Sequence, residues 1–272
     1  MIGRAKIFAR QWIGRNRRSA PAKLLHEVAS FVESAYWNEG SSLTVNGEGD
    51  LLRKLRNSDF KVAFDVGANE GDWVREALAF WPQCHIHAFE VAPPTFQLLT
   101  DQVGRSKDNG RVTLNNLGLS DSDSAGVKEM YYFPQHPDLT CDLPRHEGYE
   151  VVPFEANLCT GDHYIQTHQI DTVDFLKIDV EGAEHRVLKG LADSLAHDKI
   201  QCLQFEYGAF ATQTRVLLAD YYALLSQRYW IGKIYPTYVD FRDYDWLMED
   251  FRFANYCGVS KSRPDLRKIL AS

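Results

Sequence analysis

The sequence predicts an α/β protein built on a mostly parallel β-sheet with helices on both faces. Three observations carry that prediction. Short apolar runs, among them Val62–Val66, Val173–Ile178 and Ile200–Glu206, alternate with stretches of helical periodicity. The first run breaks into Gly67, Asn69 and Gly71 ahead of a helix-like segment, a layout in which glycines let the backbone approach a ligand closely. Near the C-terminus two strand-like pieces, Trp230–Tyr235 and Phe253–Ser260, follow without a helix between them, which puts one antiparallel strand into the sheet.

Taken in order, residues 1–20 read as a basic amphipathic helix, with Phe8 and Trp12 at i,i+4. Residues 21–37 read as a second helix carrying Leu24, Leu25, Val28, Phe31 and Val32. A Gly/Ser/Asn-rich loop, 38–49, follows. Residues 1–58 are thus expected to be an N-terminal helical extension, with too little apolar material for a core of their own, and 59–272 the main domain. Strand Val62–Val66 leads to helix Asp72–Trp81, stopped by Pro82. Strand His85–Glu90 leads to helix Pro94–Val103, and Arg111–Leu117 is a third strand. Residues 121–160 read as irregular, with one alternating strand and prolines at 134, 137 and 144. A short helix at 162–168 then precedes the buried strand Val173–Ile178 and helix Glu184–Leu195. Strand Ile200–Glu206 and helix Thr212–Tyr229 complete the alternation.

The 272 residues carry a net charge of −7, unevenly spread. Residues 1–25 hold seven basic side chains and no acidic one, so the rest of the chain stands at −14. An acidic body argues against nucleic acid as partner, since phosphate binding needs a basic face. For residues 1–20, a place on an anionic membrane surface stands beside the blander readings, packing on the domain or a solvated tail. The five cysteines show no Cys-x-x-Cys spacing and read as reduced thiols of a cytoplasmic protein. No apolar run approaches the roughly 20 residues of a membrane helix.

Ligands of such sheets bind beyond the carboxyl ends of the strands. There the sequence places Asp65, Gly67, Asn69 and Gly71, then Glu90, then Asn115, Asn116 and Gly118, then Asp179, Glu181 and Glu184, then Glu206 and Tyr207. One acidic strand end is ordinarily a cap or a solvated charge; polar groups at five successive ends point to a nucleoside-containing ligand. Glu90 lies where a carboxylate can accept from both ribose hydroxyls. Crowding by Asp65, Glu70, Asp72, Asp179 and Glu181 disfavours a dinucleotide pyrophosphate and suits a cofactor bearing an ammonium and a sulfonium, S-adenosylmethionine.

Four blocks, FDVGANEGDW, HAFEVAPPTFQLL, NNLGLSDSDS and DFLKIDVEGAEHRVLKGL, resemble the FkbM family of S-adenosylmethionine-dependent methyltransferases. The resemblance covers roughly residues 62–260. It implies the class I methyltransferase (Rossmann-like) fold, a seven-stranded sheet with an antiparallel last strand. It also implies that Gly67, Asn69 and Gly71 pass the methionine part, with Asp65 toward its ammonium. Glu90 would hold the ribose, Val91 would flank the adenine, and Asn116 and Gly118 would line its far side. Asp179 and Glu181 would face the methyl group and the acceptor, a hydroxyl of a sugar, glycan or polyketide-like natural product.

An aliphatic hydroxyl, with a pKa on the order of 16 by analogy with water, gives its proton reluctantly to an aspartate. Either Asp179 and Glu181 bind Mg²⁺ and acidify it, or a histidine acts as base, His185 being nearest in sequence. Tyr131, Tyr132, His136 and Arg145, in the 121–160 loop, form an acceptor wall or merely cover the sheet edge. The competing functions are a non-catalytic glycan- or protein-binding module on this fold and an NAD-dependent oxidoreductase, which the glycine spacing disfavours.

Overall fold

The computed structural model describes residues 2–40, 42–104, 109–142 and 148–272. It divides into two units, Met1–Ser41 and Ser42–Ser272. The first consists of helices Ile2–Asn16 and Ala20–Trp37. The second holds everything else, including helix Glu48–Lys54. That helix falls inside the span assigned to the extension on sequence grounds. It belongs with the sheet because Leu51, Leu52 and Leu55 are buried in the same apolar cluster as Trp73, Val74 and Phe175.

The sheet contains strands β1 (Val62–Val66), β2 (His85–Phe89) and β3 (Val112–Asn115). A second, smaller sheet is made of β4 (Gly118–Leu119), β5 (Gly126–Tyr132) and β6 (Val152–Cys159). The main sheet continues with β7 (Val173–Ile178), β8 (Ile200–Tyr207), β9 (Tyr229–Tyr235), β10 (Tyr238–Phe241) and β11 (Ala254–Ser260). Its order is β10-β9-β11-β8-β7-β1-β2-β3. Strands β3, β2, β1, β7 and β8 are parallel neighbours, and β11 runs antiparallel to both β8 and β9. This is the class I methyltransferase arrangement with one strand more than expected. The eighth strand arises because the two residues Pro236 and Thr237 turn the chain back, so that Tyr238 pairs with Tyr235 in a hairpin at the sheet edge.

Alternation along the strands sends Phe64, Val66, Leu176 and Ile178 into one core, with Val187, Leu188, Tyr221 and Leu225 from the covering helices. Ala63 and Phe175 enter the other, with Trp73, Val74, Leu99 and Leu266. Both faces are therefore covered, which is why the central strands read as continuous apolar runs.

Several boundaries differ from the sequence expectation. The 184–195 helix is two, Glu184–Lys189 and Ala192–Ala196, parted at Gly190 and Leu191. The 212–229 helix is also two, because Arg215 takes a left-handed φ of 58° and the chain restarts at Leu218, with Asp220 accepting from the Leu217 N–H. Strand β6 lies inside the 121–160 stretch expected to be irregular; its single proline, Pro153, lies near its start and so interrupts the β5 pairing little. Helix Pro264–Ala271, absent from the sequence reading, buries Leu266 and Leu270 at i,i+4.

Candidate active site

The loop after β1 is shaped by contacts that a side chain would prevent. Gly67 has φ +86°, and a Cβ there would lie 1.8 Å from the Asp179 carbonyl oxygen. Its N–H and that of Ala68 both donate to the Phe89 carbonyl at 2.9 Å, so the ends of β1, β2 and β7 converge on this residue. Asn69, at φ +46°, donates its backbone N–H to Glu90 Oε2 at 3.0 Å. Gly71 starts helix Asp72–Phe80 at φ +88° and lets Leu99 and Val103 pack where a Cβ would come within 2.8 Å of each. It serves helix packing as well as the loop.

Glu90 ends β2 with its carboxylate buried. Oε1 accepts from the Ala92 N–H at 2.8 Å and Oε2 from Asn69. Burial pushes its pKa up to about 7, against the pull of those amides. The turn beside it is pinned by Asn116, whose Nδ2 donates to the carbonyls of Glu90 and Val91 at 2.9 and 3.1 Å. Gly118 lies against Val91: a Cβ there would be 3.4 Å from Val91 Cγ2 and 2.4 Å from Leu158 Cδ2. Glu90, Val91, Asn116 and Gly118 thus form one cluster.

The loop after β7 begins with Asp179, whose N–H donates to Val66 O at 2.9 Å and whose side chain is 38% exposed. Glu181 adopts φ +57°, uncommon for a residue with a Cβ and the kind of strain that collects at functional sites. Glu184 supports this loop from below: Oε1 accepts the N–H groups of Val180 and Gly182, both at 3.1 Å. Burial pushes Glu184 up to about 7. Asp179, Glu181 and Glu206, the last from β8, offer carboxylate oxygens all within 4.8 Å of one another. Glu206 is buried, and its pKa is driven well upward by burial first and then by Asp179 and Glu181. His185 is not among this group. Its ring packs against Tyr221, centroids 5.4 Å apart, and burial lowers its pKa.

The residue that sequence reasoning missed is Lys177. It sits inside the fully buried β7, in register with Asp65 on β1 and Gln204 on β8. Its Nζ lies 3.4 Å from Asp65 Oδ1 and 3.0 Å from Asp179 Oδ2. Burial works against its charge, but Asp179, Asp65 and Glu48 outweigh it and hold the ammonium protonated. Glu48 accepts from Asn46 Nδ2 at 2.5 Å and Asn255 Nδ2 at 2.9 Å, and is itself raised by burial. The available signal was a lysine within an otherwise apolar strand, which a buried sheet tolerates only when paired.

Tyr131 and Tyr132 lie on β5, Tyr131 donating its hydroxyl to Glu129 at 2.8 Å. His136 packs on Tyr149, centroids 4.6 Å apart. Arg145 lies outside the described residues.

The loop also leaves acceptors unmatched. Asp65 is wholly buried and raised by burial to about 6; neither of its carboxylate oxygens accepts a well-directed hydrogen bond, Oδ1 having only the Lys177 ammonium at 3.4 Å, and Asn69 Oδ1 likewise lacks a hydrogen-bonded partner. Unmatched buried acceptors beside a glycine that admits close approach fit a ligand that brings N–H donors and positive charge, as S-adenosylmethionine does.

The profile of the methyltransferase FkbM domain matches residues 65–233, more than half of the chain. The chain is 33% identical over 168 residues to a 31-O-demethyl-FK506 methyltransferase of Streptomyces tacrolimicus, covering 52% of this chain and 62% of that protein. It is 24% identical over 217 residues to the hexuronic acid methyltransferase AglP of Haloferax volcanii, covering 78% and 86%. It therefore spans less than two thirds of the first of these relatives. A solved FkbM methyltransferase from Methylobacillus flagellatus aligns with 74% of this chain and 44% of its own, at 16% identity and a TM-score of 0.46. The matched span opens on Asp65 and takes in the glycine loop, Glu90, Asp179 and Glu206, so the chain belongs to the FkbM methyltransferase family.

Proposed function

We propose that this protein O-methylates a hydroxyl of a sugar, glycan or polyketide-like small molecule, with S-adenosylmethionine as donor. The observation that carries the reading is the convergence of a partly exposed Asp179 on the loop bearing Gly67, with unmatched acceptors on Asp65 and Asn69 at the same strand ends. When bound, S-adenosylmethionine supplies an electrophilic methyl group on a sulfonium centre. Asp65 and the 67–71 loop bind its methionine part; Glu90 accepts from the ribose hydroxyls; Val91, Asn116 and Gly118 line the adenine. That the Streptomyces relative is a 31-O-demethyl-FK506 methyltransferase and the Haloferax relative a hexuronic acid methyltransferase supports a hydroxylated acceptor.

Asp179 orients the acceptor hydroxyl, since much of the rate of an in-line displacement comes from holding the attacking atom at near-attack distance. Carboxylates in general are weak bases for an alcohol. The neighbouring Glu181 and Glu206 supply what is needed for a Mg²⁺ ion to share that task, three carboxylates being suitable oxygen ligands. His185, turned to Tyr221, is not assigned the role of base.

The test is methyl transfer from labelled S-adenosylmethionine across an array of sugars, uronic acids and macrocyclic alcohols. An Asp179→Ala variant that folds normally should lose on the order of 100-fold or more in rate. Full activity in that variant removes Asp179 from the reaction. No turnover with any hydroxylated acceptor, despite tight S-adenosylhomocysteine binding, would favour the non-catalytic binding module.

A further inference from the structure

The unit Met1–Ser41 supplies none of the site residues named above, yet among the described residues it carries a run of exposed large apolar side chains. In helix Ala20–Trp37, Leu24, Leu25, Val28, Phe31, Val32 and Tyr36 recur at helical spacing on one face, each between 53% and 73% exposed. Lys23, Glu27, Ser30 and Glu33 fall on the other side. Helix Ile2–Asn16 adds Ile7, Phe8 and Trp12, also exposed. A monomer in water rarely leaves so continuous an apolar face open unless something covers it.

Charge selects the occupant. Residues 1–25 carry Arg4, Lys6, Arg10, Arg15, Arg17, Arg18 and Lys23 and no acidic side chain. Covering the face with a second copy would bring two such basic segments together. An anionic lipid surface offers phosphates to the basic groups and acyl chains to the apolar face at once. Neither helix is long and apolar enough to cross a bilayer, so the element lies in the plane of the interface.

We propose that residues 2–37 dock this protein on an anionic membrane surface, the Leu24–Tyr36 face entering the acyl boundary while the basic side chains of the first helix meet lipid phosphates. The proposal does not depend on the methyl-transfer reading and identifies no lipid as its acceptor.

The experiment is flotation of the full chain with phosphatidylcholine vesicles and with vesicles of equal parts phosphatidylcholine and phosphatidylglycerol, at low and high salt. Binding to the anionic vesicles alone, weakened by salt, is the expected result. Replacing Arg4, Lys6 and Arg10 together by Gln should weaken that binding on the order of 100-fold, at about fivefold per basic residue. Val28→Ser with Phe31→Ser should weaken it by at least about tenfold through lost apolar burial. Circular dichroism and S-adenosylhomocysteine affinity, unchanged in both variants, show that the sheet unit is intact. Absence of binding to either vesicle overturns the proposal, as does equal, salt-independent binding to both. Light scattering that finds a dimer broken by the Val28/Phe31 variant, with no flotation, assigns the face to a second copy and overturns it too.

Discussion

Lys177 Nζ stands 3.0 Å from Asp179 Oδ2 and 3.4 Å from Asp65 Oδ1, and so joins a partly exposed carboxylate to a wholly buried one. Asp179, Asp65 and Glu48 all act on this ammonium, which is paired at once with residues from the ends of two neighbouring strands. Removing one partner from a buried ionic group is far more costly than replacing the whole group, because it leaves charge without compensation.

Lys177→Met is therefore expected to destabilise the fold by about 3–5 kcal/mol, read from urea midpoints at pH 7. Adding Asp65→Asn to Lys177→Met should recover a good part of that loss, since the stranded carboxylate is then neutral. If the double variant is as unstable as the sum of its parts, the pairing does not carry the stability assigned to it.

Glu90 makes ligand affinity depend on pH. With its pKa raised to about 7 by burial, its ionised fraction in the free protein rises about tenfold from pH 6 to pH 8. Hydroxyl donors bind the ionised carboxylate more strongly. S-adenosylhomocysteine should bind up to about tenfold more tightly at the higher pH, and Glu90→Gln should flatten the profile in calorimetric titrations.

The same group acts on stability with the opposite sign. A carboxyl whose folded pKa exceeds its ordinary 4.5 holds its proton better folded than unfolded, so its contribution is full below about 4.5 and falls away as pH rises through about 7. Glu184 adds to this in the same window. Urea midpoints of the ligand-free protein should fall between about pH 5 and about pH 8, and less steeply in Glu90→Gln.

The acid cluster of Asp179, Glu181 and Glu206 should make turnover metal-dependent. EDTA is expected to abolish methyl transfer and Mg²⁺ to restore it, while Glu206→Gln should shift the Mg²⁺ concentration for half-restoration upward by about tenfold or more. Undiminished turnover in EDTA would leave Asp179 to position the acceptor without a metal.

Gly67→Ala should abolish S-adenosylhomocysteine binding and destabilise the protein by about 3 kcal/mol or more, since its Cβ would overlap the Asp179 carbonyl at a positive φ. Gly118→Ala meets chiefly the movable end of Leu158 and should be milder in both readouts.

Much of this protein was determined by local pattern. The alternation of apolar runs and amphipathic stretches gave the central strands, because a parallel sheet covered on both faces admits few polar residues along its strands. Glycines followed by acidic groups at strand ends gave the place of the site, and the four motif blocks gave its family. What local pattern does not contain is pairing between distant segments. Lys177 looked like part of an apolar run until register set it beside Asp65; Glu206 gained its meaning from lying within 4.8 Å of Asp179 and Glu181. His185 follows Glu184 in sequence, yet the helix turns its ring to Tyr221. Strand β10 and the sheet formed by β4, β5 and β6 depend on partners that satisfy their backbone groups, and short segments with mixed side chains show that dependence only once folded. Sequence thus decided which chemistry is present, and tertiary register decided which of those groups meet, because charges and carbonyls interact across a few ångströms of space whatever their separation along the chain.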